Sequence, residues 1–327
     1  MEQDLEEKRA RLAAELVSCG SVAVAFSGGV DSTLLLAAAQ EALGERAVAF
    51  TAASPFVPRR EVEEAAAFCA RRGIAHVVVE FDTLAVPGVA ANPADRCYLC
   101  KHALFTRLKE LAAARGLRAV VDGTNLDDDG DYRPGRRALA ELAIKSPLHA
   151  AGFHKADIRA LSRALGLATW DKPSMACLAS RFAYGEQLTR EGLSRVNRAE
   201  EFLLGLGFRQ LRVRVHEGGR LARIELLPED IARLFTEGLV DRVQEALAGL
   251  GFAYVSLDLR GFRSGSMNEG SRGKGRARRS AEFSPGRGWR ARGRGTPRGT
   301  APRGAARAEM AGCAPGRQMH VKEALIK

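Results

Sequence analysis

Short apolar runs alternate with amphipathic stretches through the first 180 residues. Val22-Ala23-Val24-Ala25-Phe26 is apolar at every position, as a strand buried on both faces must be. A Gly turn follows, and then a helix from about Ser32 to Leu43. The pattern repeats with a strand at Ala47–Thr51, a helix at 59–72, a strand at Ala75–Glu80, a helix at 101–115 and a strand at Ala119–Asp122. Strands spaced by helices predict right-handed βαβ units, hence a parallel sheet with helices on both faces.

The rhythm changes after residue 186. A helix over about 189–206 ends at Gly207, and two strands follow, Gln210–His216 and Leu221–Leu227, with Gly218-Gly219 as their turn. Pro228 opens a helix, another runs over 239–249, and Tyr254–Leu259 forms a last strand. The expected organisation is an α/β domain over 1–180, a small α+β domain over 186–268 and a tail over 270–327.

Composition adds three constraints. With 46% hydrophobic and 27% charged residues among 327, the chain can bury a sizeable core. No apolar stretch reaches the ~18 residues a membrane span needs, and the acidic start Met1-Glu2-Gln3-Asp4 does not read as a secretory signal. Six cysteines are too few for a disulfide scaffold, so the expectation is a cytoplasmic protein with reduced thiols.

The net charge of +11 is unevenly placed. Residues 270–327 hold 15 Lys and Arg against 3 Asp and Glu, which leaves 35 basic and 36 acidic residues in 1–269. The body therefore offers no basic surface to predict a nucleic-acid partner. The tail, rich in Arg, Gly, Pro and Ala, has no apolar periodicity and predicts a disordered extension, with an RNA-binding Arg/Gly appendage as the alternative.

The chemistry concentrates at strand ends. Ser27-Gly28-Gly29-Val30-Asp31-Ser32 lies between a strand and a helix. A Gly-rich turn there lets backbone amides approach an anion, and the helix N-terminus adds partial positive charge. Ser27 and Ser32 add hydroxyls, and Asp31 suits a Mg²⁺ that bridges phosphate oxygens. The Walker pattern G-x-x-x-x-G-K-[ST] is absent. Asp122-Gly123-Thr124-Asn125 follows the fourth strand at the same edge, where Gly123 permits close approach of a nucleotide and Thr124 and Asn125 can bond it. Thr51 and Ala52, ending the second strand, are candidates for backbone contacts to adenine.

Cys97-Tyr98-Leu99-Cys100 is one C-x₂-C pair, and Cys177 follows Lys172-Pro173-Ser174-Met175-Ala176. Zinc wants four ligands, and a redox dithiol lacks its usual context here. Three thiolates can instead hold a [4Fe–4S] cluster and leave one iron open. Cys19 and Cys69 read as small buried hydrophobes. Arg212 and Arg214, two apart on one strand, point the same way and make a phosphate site.

The Ser27–Ser32 loop resembles the pyrophosphate loop of the ATP-pyrophosphatase (PP-loop) superfamily, with its adenine-nucleotide α-hydrolase fold. More of the body resembles one family within it, the LarE family of ATP-dependent sulfur transferases, over nearly all of residues 1–268. The matching segments include Gly123-Thr124-Asn125, Asp131-Tyr132-Arg133-Pro134-Gly135, Trp170-Asp171-Lys172-Pro173-Ser174, Cys177-Leu178-Ala179-Ser180-Arg181, Arg212-Val213-Arg214 and Gly265-Ser266-Met267-Asn268.

The resemblance implies adenylation of a carboxylate of pyridinium-3,5-biscarboxylic acid mononucleotide by ATP and Mg²⁺. Sulfur then replaces AMP, on the way to the nickel-pincer nucleotide cofactor. It implies that Arg212 and Arg214 hold the substrate phosphate, with Glu200 as a nearby polar or metal contact. In the cluster-containing branch Cys97, Cys100 and Cys177 are the iron–sulfur ligands; in the sacrificial branch Cys177 gives up its own sulfur. The cluster is the expectation here and sacrifice the runner-up. Closed homo-oligomers and a small-molecule partner are also implied. The alternative is a tRNA-thiolating PP-loop enzyme.

Overall fold

The computed structural model describes residues 2–129, 134–263 and 265–268. Asp131, Tyr132, Arg133 and the tail 270–327, with Cys313, lie outside the described residues. The chain begins with α1 (Glu2–Cys19), β1 (Val22–Ala25), α2 (Val30–Leu43), β2 (Ala47–Ala53), α3 (Arg59–Arg72), β3 (His76–Glu80), α4 (Arg96–Ala113) and β4 (Ala119–Val121). α5 (Pro134–Glu141), α6 (Pro147–Ala150), α7 (Lys155–Ala164) and α8 (Arg190–Gly205) follow. It closes with β5 (Leu211–His216), β6 (Leu221–Leu226), α9 (Pro228–Thr236), α10 (Val240–Gly249) and β7 (Tyr254–Leu257).

The first four strands form one parallel sheet in the order β3-β2-β1-β4. Alternation along β1 sends Val22 and Val24 to one face, where they meet residues of α1, α2, α6 and α7, among them Leu16, Leu35, Leu148 and Ile158. Ala23 faces the other way, into a smaller cluster with Phe105 and Leu108 of α4 and Leu139 of α5. Helices thus cover both faces. α2 is buried nearly all round, Leu34, Leu35 and Leu36 completely. Each such leucine contributes about 1.5–3 kcal/mol of burial.

Strand order places the site. From β1 the chain steps to β2 and β3 on one side, then returns to β4 on the other. The order reverses between β1 and β4, and ligands of open parallel sheets bind at the carboxyl ends of such a pair.

A second sheet has the order β5-β6-β7, with β5 and β6 antiparallel and β6 and β7 parallel. Val213 and Val215 pack against Leu193, Val196 and Leu203 of α8, and Phe56 and Val89 from the first half join this core. Alternation turns Arg212 and Arg214 to the opposite face of β5.

One element differs from expectation in a way that matters. The helix expected over 101–115 begins at Arg96, so Cys97 and Cys100 lie within α4 rather than before it. The turn after Pro93 starts it early: the Arg96 amide bonds the Pro93 carbonyl and the Tyr98 amide bonds that of Asp95. The last strand also stops two residues short of Leu259, where the Gly261 amide turns back to the Asp258 carbonyl.

Candidate active site

Beyond β1 the chain makes a left-handed turn at Gly28 (φ +69°), a conformation that glycine adopts at no steric cost, and enters α2 with Gly29 as N-cap. Glycine brings no capping side chain, so an anion is the natural partner of the first-turn amides. The Ser27 and Ser32 hydroxyls are 3.1 Å apart, and Ser32 Oγ donates to the Gly29 carbonyl at 3.2 Å, which fixes the loop from inside. Thr51 Oγ1 donates to the Phe26 carbonyl at 2.8 Å and lies 2.9 Å from His76 Nε2. Its hydroxyl thereby joins β2 to the loop.

The loop after β4 presses against this turn. A Cβ on Gly123 would sit 3.1 Å from the Ser32 amide nitrogen and 3.3 Å from Asp31, so only glycine fits without a shift. The buried Asp122 carboxylate accepts from Thr124 Oγ1 and Ser146 Oγ, both at 2.6 Å. Asn125 Nδ2 donates to Asp31 Oδ1 at 3.4 Å, while Lys155 Nζ pairs with Asp31 Oδ2 at 2.5 Å. Lys155 is held from below: its amide donates to Asp127 at 2.8 Å. His154 and that amide hold the Asp127 carboxyl below the usual carboxylate range.

Ser27, Gly29, Asp31, Ser32, Thr51, Gly123, Thr124 and Asn125 all line one cavity of about 550 Å³. Gly28 stands behind its wall, its carbonyl accepting from Lys172 Nζ at 3.0 Å. Cys177 lines the same cavity. So do Asp122, at the head of the second strand-end cluster, and Glu61, Lys101 and Lys155, which the sequence does not single out. Glu61 has its carboxyl raised above the ordinary range, chiefly by burial and against the pull of Lys172, Arg60 and Arg181.

Cys177 sits at the start of a single helical turn, Leu178–Arg181, and three arginines grip its segment by backbone carbonyls. Arg181 donates to the carbonyls of Ala176 (2.5 Å) and Cys177 (3.0 Å), Arg212 to Ser174 (2.6 Å), and Arg214 to Ser180 (3.0 Å). The Leu178 amide bonds the Phe56 carbonyl at 2.9 Å, tying this turn to the approach of α3.

Arg212, Arg214 and Glu200 do not line the cavity. Glu200 is wholly buried: its oxygens accept from Arg181 at 2.8 and 2.7 Å and from the Val213 amide at 2.9 Å. Arg214 pairs with Glu225 at 2.9 Å and bonds Ser266 Oγ at 3.0 Å. Arg212 has no carboxylate partner among the described residues. It bonds the Leu211 and Ser174 carbonyls and lies 5.1 Å from the Phe262 ring centroid. Burial, together with Arg181 and Arg214 nearby, lowers its pKa to about 10.

Cys97 and Cys100 share one face of α4. Burial raises both thiols, Cys100 to about 12, and Cys177 adds to the shift of each, so the three thiols lie within electrostatic reach of one another. Among the described residues no group of three or more His, Cys, Asp or Glu converges to hold a metal ion, so the expected cluster gains no support from the geometry. Cys19 and Cys69 are buried, as expected of small hydrophobes.

The asparagine synthase family model matches residues 9–91, the segment that contains the Gly loop. The chain is 40% identical over 266 residues to the pyridinium-3,5-bisthiocarboxylic acid mononucleotide synthase of Lactiplantibacillus plantarum, covering 81% of this chain and 95% of that protein. The chain belongs to the LarE family. It is also 46% identical over 245 residues to an uncharacterized protein of Synechocystis sp., covering 75% of this chain and 91% of that one. An uncharacterized protein of Methanocaldococcus jannaschii is 28% identical over 243 residues, covering 74% and 91%. The LarE family lies within the PP-loop superfamily, and the parallel sheet with its Gly loop is that fold. No helix among the described residues is long and apolar enough to cross a membrane.

Proposed function

We propose that this LarE-family protein adenylates a carboxylate of pyridinium-3,5-biscarboxylic acid mononucleotide with ATP and then converts it to a thiocarboxylate. One observation carries the reading: the Gly loop with Asp31 and the thiol of Cys177 line the same cavity. A carboxylate is a poor electrophile. Its oxygen attacks the α-phosphorus of ATP, the bond to the β-phosphate breaks, and pyrophosphate leaves with the electron pair. The acyl-adenylate then carries AMP as a leaving group, which sulfur displaces.

Asp31 is a hard oxygen donor beside the phosphate loop and fits a Mg²⁺ that arrives with ATP. Ser27, Ser32 and the first-turn amides of α2 face the phosphates, Thr51 and Ala52 the adenine, and Gly123, Thr124 and Asn125 the ribose side. Arg212, a buried cation with no ion-paired carboxylate among the described residues, and Arg214 take the substrate phosphate, while Glu200 holds Arg181 behind them.

Cys177 is the thiol at the cavity; in this reading its thiolate displaces AMP to give a thioester, and loss of its Cα proton then breaks its Cβ–S bond, leaving a thiocarboxylate on the substrate and dehydroalanine at position 177. A second reading has Cys97, Cys100 and Cys177 hold a [4Fe–4S] cluster, although among the described residues the three thiols do not converge to hold a metal. Such a cluster would supply an open iron able to carry sulfide.

Asp31→Ala tests the ATP half. Pyrophosphate release should vanish while the fold persists, and release at the parental rate would refute the loop assignment. Iron content after anaerobic purification, with the mass of the Cys177 peptide after turnover, separates the two sulfur readings. Iron with an unchanged peptide supports the cluster. Iron-free protein whose Cys177 has lost H₂S supports sacrifice.

A further inference from the structure

Breaking the Cβ–S bond of Cys177 needs a base for its Cα proton and a partner for the charge that the departing proton leaves behind. The cavity wall holds five carboxylates, Asp31, Glu61, Asp122, Asp127 and Asp128, and among the described residues no histidine lines it. Four of the five are committed. Asp31 pairs with Lys155 and accepts from Asn125. Asp122 accepts from Thr124 and Ser146. Asp127 bonds His154 and the Lys155 amide, and Asp128 accepts from the Asn125 amide. The Glu61 carboxylate makes no hydrogen bond and no ion pair among the described residues. Polar groups at such depth are normally satisfied, and an unsatisfied carboxylate on a cavity wall is placed for proton transfer. Burial holds this carboxyl above the ordinary range, so its anion takes a proton more readily than that of a free glutamate.

Glu61 lies in the first turn of α3. The bond from the Leu178 amide to the Phe56 carbonyl stitches the residue after Cys177 to the approach of that turn. A side cavity of about 120 Å³ continues the contact, and Glu61 lines it together with Ser174 and Met175 of the Cys177 segment. Arg181 completes the arrangement. Its Nη1 donates to the carbonyl of Cys177 itself at 3.0 Å, and its charge lies within electrostatic reach of both Glu61 and Cys177. When a Cα proton leaves, negative charge moves onto the adjoining carbonyl oxygen as an enolate. A cationic donor already on that oxygen stabilises the charge without reorganisation.

We infer that Glu61 is the base that removes the Cα proton of Cys177 and that Arg181 stabilises the resulting enolate, roles that rest on the sacrificial reading above. Once Cys177 carries the substrate as a thioester, the electron pair of its Cα–H bond passes toward its own carbonyl oxygen. The pair returns to form the Cα–Cβ double bond as the Cβ–S bond breaks. Sulfur leaves with the electrons of that bond as the thiocarboxylate, and the proton stays on Glu61. No oxidant or reductant is consumed. A thiocarboxylate spreads its charge over sulfur and oxygen and leaves more readily than a free thiolate. Elimination therefore waits for acylation, and Cys177 is kept until the activated substrate arrives.

The test is a single-turnover incubation of the full chain with Mg²⁺, ATP and pyridinium-3,5-biscarboxylic acid mononucleotide, followed by mass spectrometry of the protein and its Cys177 peptide. The parent should convert Cys177 to dehydroalanine, a loss of H₂S. Glu61→Gln keeps the shape of the side chain but cannot accept the proton, and should slow that conversion at least about 100-fold. It should also accumulate the thioester, seen as the added mass of the substrate acyl group on Cys177. Glu61→Asp should recover part of the rate. Arg181→Lys, which keeps a cation opposite Glu200, should accumulate the same adduct. A merely structural role for Glu61 predicts instead slow thioester formation and no adduct. Dehydroalanine formed at the parental rate by folded Glu61→Gln would overturn the assignment of the base alone. A parent that makes the thiocarboxylate and keeps Cys177 intact would overturn the sacrificial reading along with it.

Discussion

At the carboxyl edge of the parallel sheet, Asp31 and Lys155 form their ion pair with 25% and 32% of their side chains still exposed. Around β5, Arg181 and Glu200 form theirs with 1% of each exposed. The first pair sits on a cavity wall, can exchange partners with an incoming ligand, and costs little to open. The second has both oxygens and much of the guanidinium committed to protein groups, so its work is to hold the segment of Cys177. Charge at the first region is available for chemistry; charge at the second mostly supports geometry, with Arg212 as the cation that makes no ion pair among the described residues.

The comparison breaks most visibly at Glu200. Glu200→Ala leaves Arg181 buried without its partner, a situation that costs about 3–5 kcal/mol. Denaturant unfolding should show that loss, and a variant within ~1 kcal/mol of the parent would mean Glu200 is not the anchor described here. Next comes Arg212→Ala, which removes a charge-assisted contact worth about 1.5–3 kcal/mol. Affinity for the pyridinium mononucleotide should fall about ten-fold or more while ATP affinity hardly moves. Equal loss of both would assign Arg212 to the fold or to ATP.

Asp31→Ala gives the contrasting case. Removing one partner of a partly exposed pair should cost only ~0–1 kcal/mol of stability, although the chemistry is lost. The smallest effect is expected at Glu61. Its raised carboxyl means the folded state holds that proton more tightly than the unfolded chain. The associated stability is present below the ordinary value of 4.5 and lost as pH rises through the raised one. Glu61→Gln should therefore be slightly more stable than the parent near neutrality. The difference should close below pH 4.5, and a constant difference across that range would contradict the assignment.

Much of the first sheet was legible because its strands are short, uniformly apolar runs with glycine nearby, as in Val22–Phe26 and Ala119–Val121. The Gly loop and Gly123 carried a local signal that survives folding intact. Lys155 and Glu61 did not, because each becomes part of the site only when residues 124 and 30 positions distant from Asp31 in sequence close around it. The capping box His154-Lys155-Ala156-Asp157 was the available signal for the start of α7. Arg212 and Arg214 were readable as a same-face pair, but sequence spacing cannot show that Glu225 neutralises one and leaves the other. The start of α4 was read at 101 rather than Arg96, which left Cys97 and Cys100 outside it, for a similar reason: the turn at Pro93 decides where α4 begins.

The central claim is that one cavity both activates a pyridinium carboxylate with ATP and delivers sulfur to it. Mass spectrometry of the small-molecule products after incubation with Mg²⁺, ATP and pyridinium-3,5-biscarboxylic acid mononucleotide, with a parallel incubation on unmodified tRNA, tests it most directly. The account predicts a mononucleotide in which sulfur has replaced a carboxylate oxygen, accompanied by AMP and pyrophosphate, and no thiolated tRNA. Thiolated tRNA with an unchanged pyridinium nucleotide would contradict it.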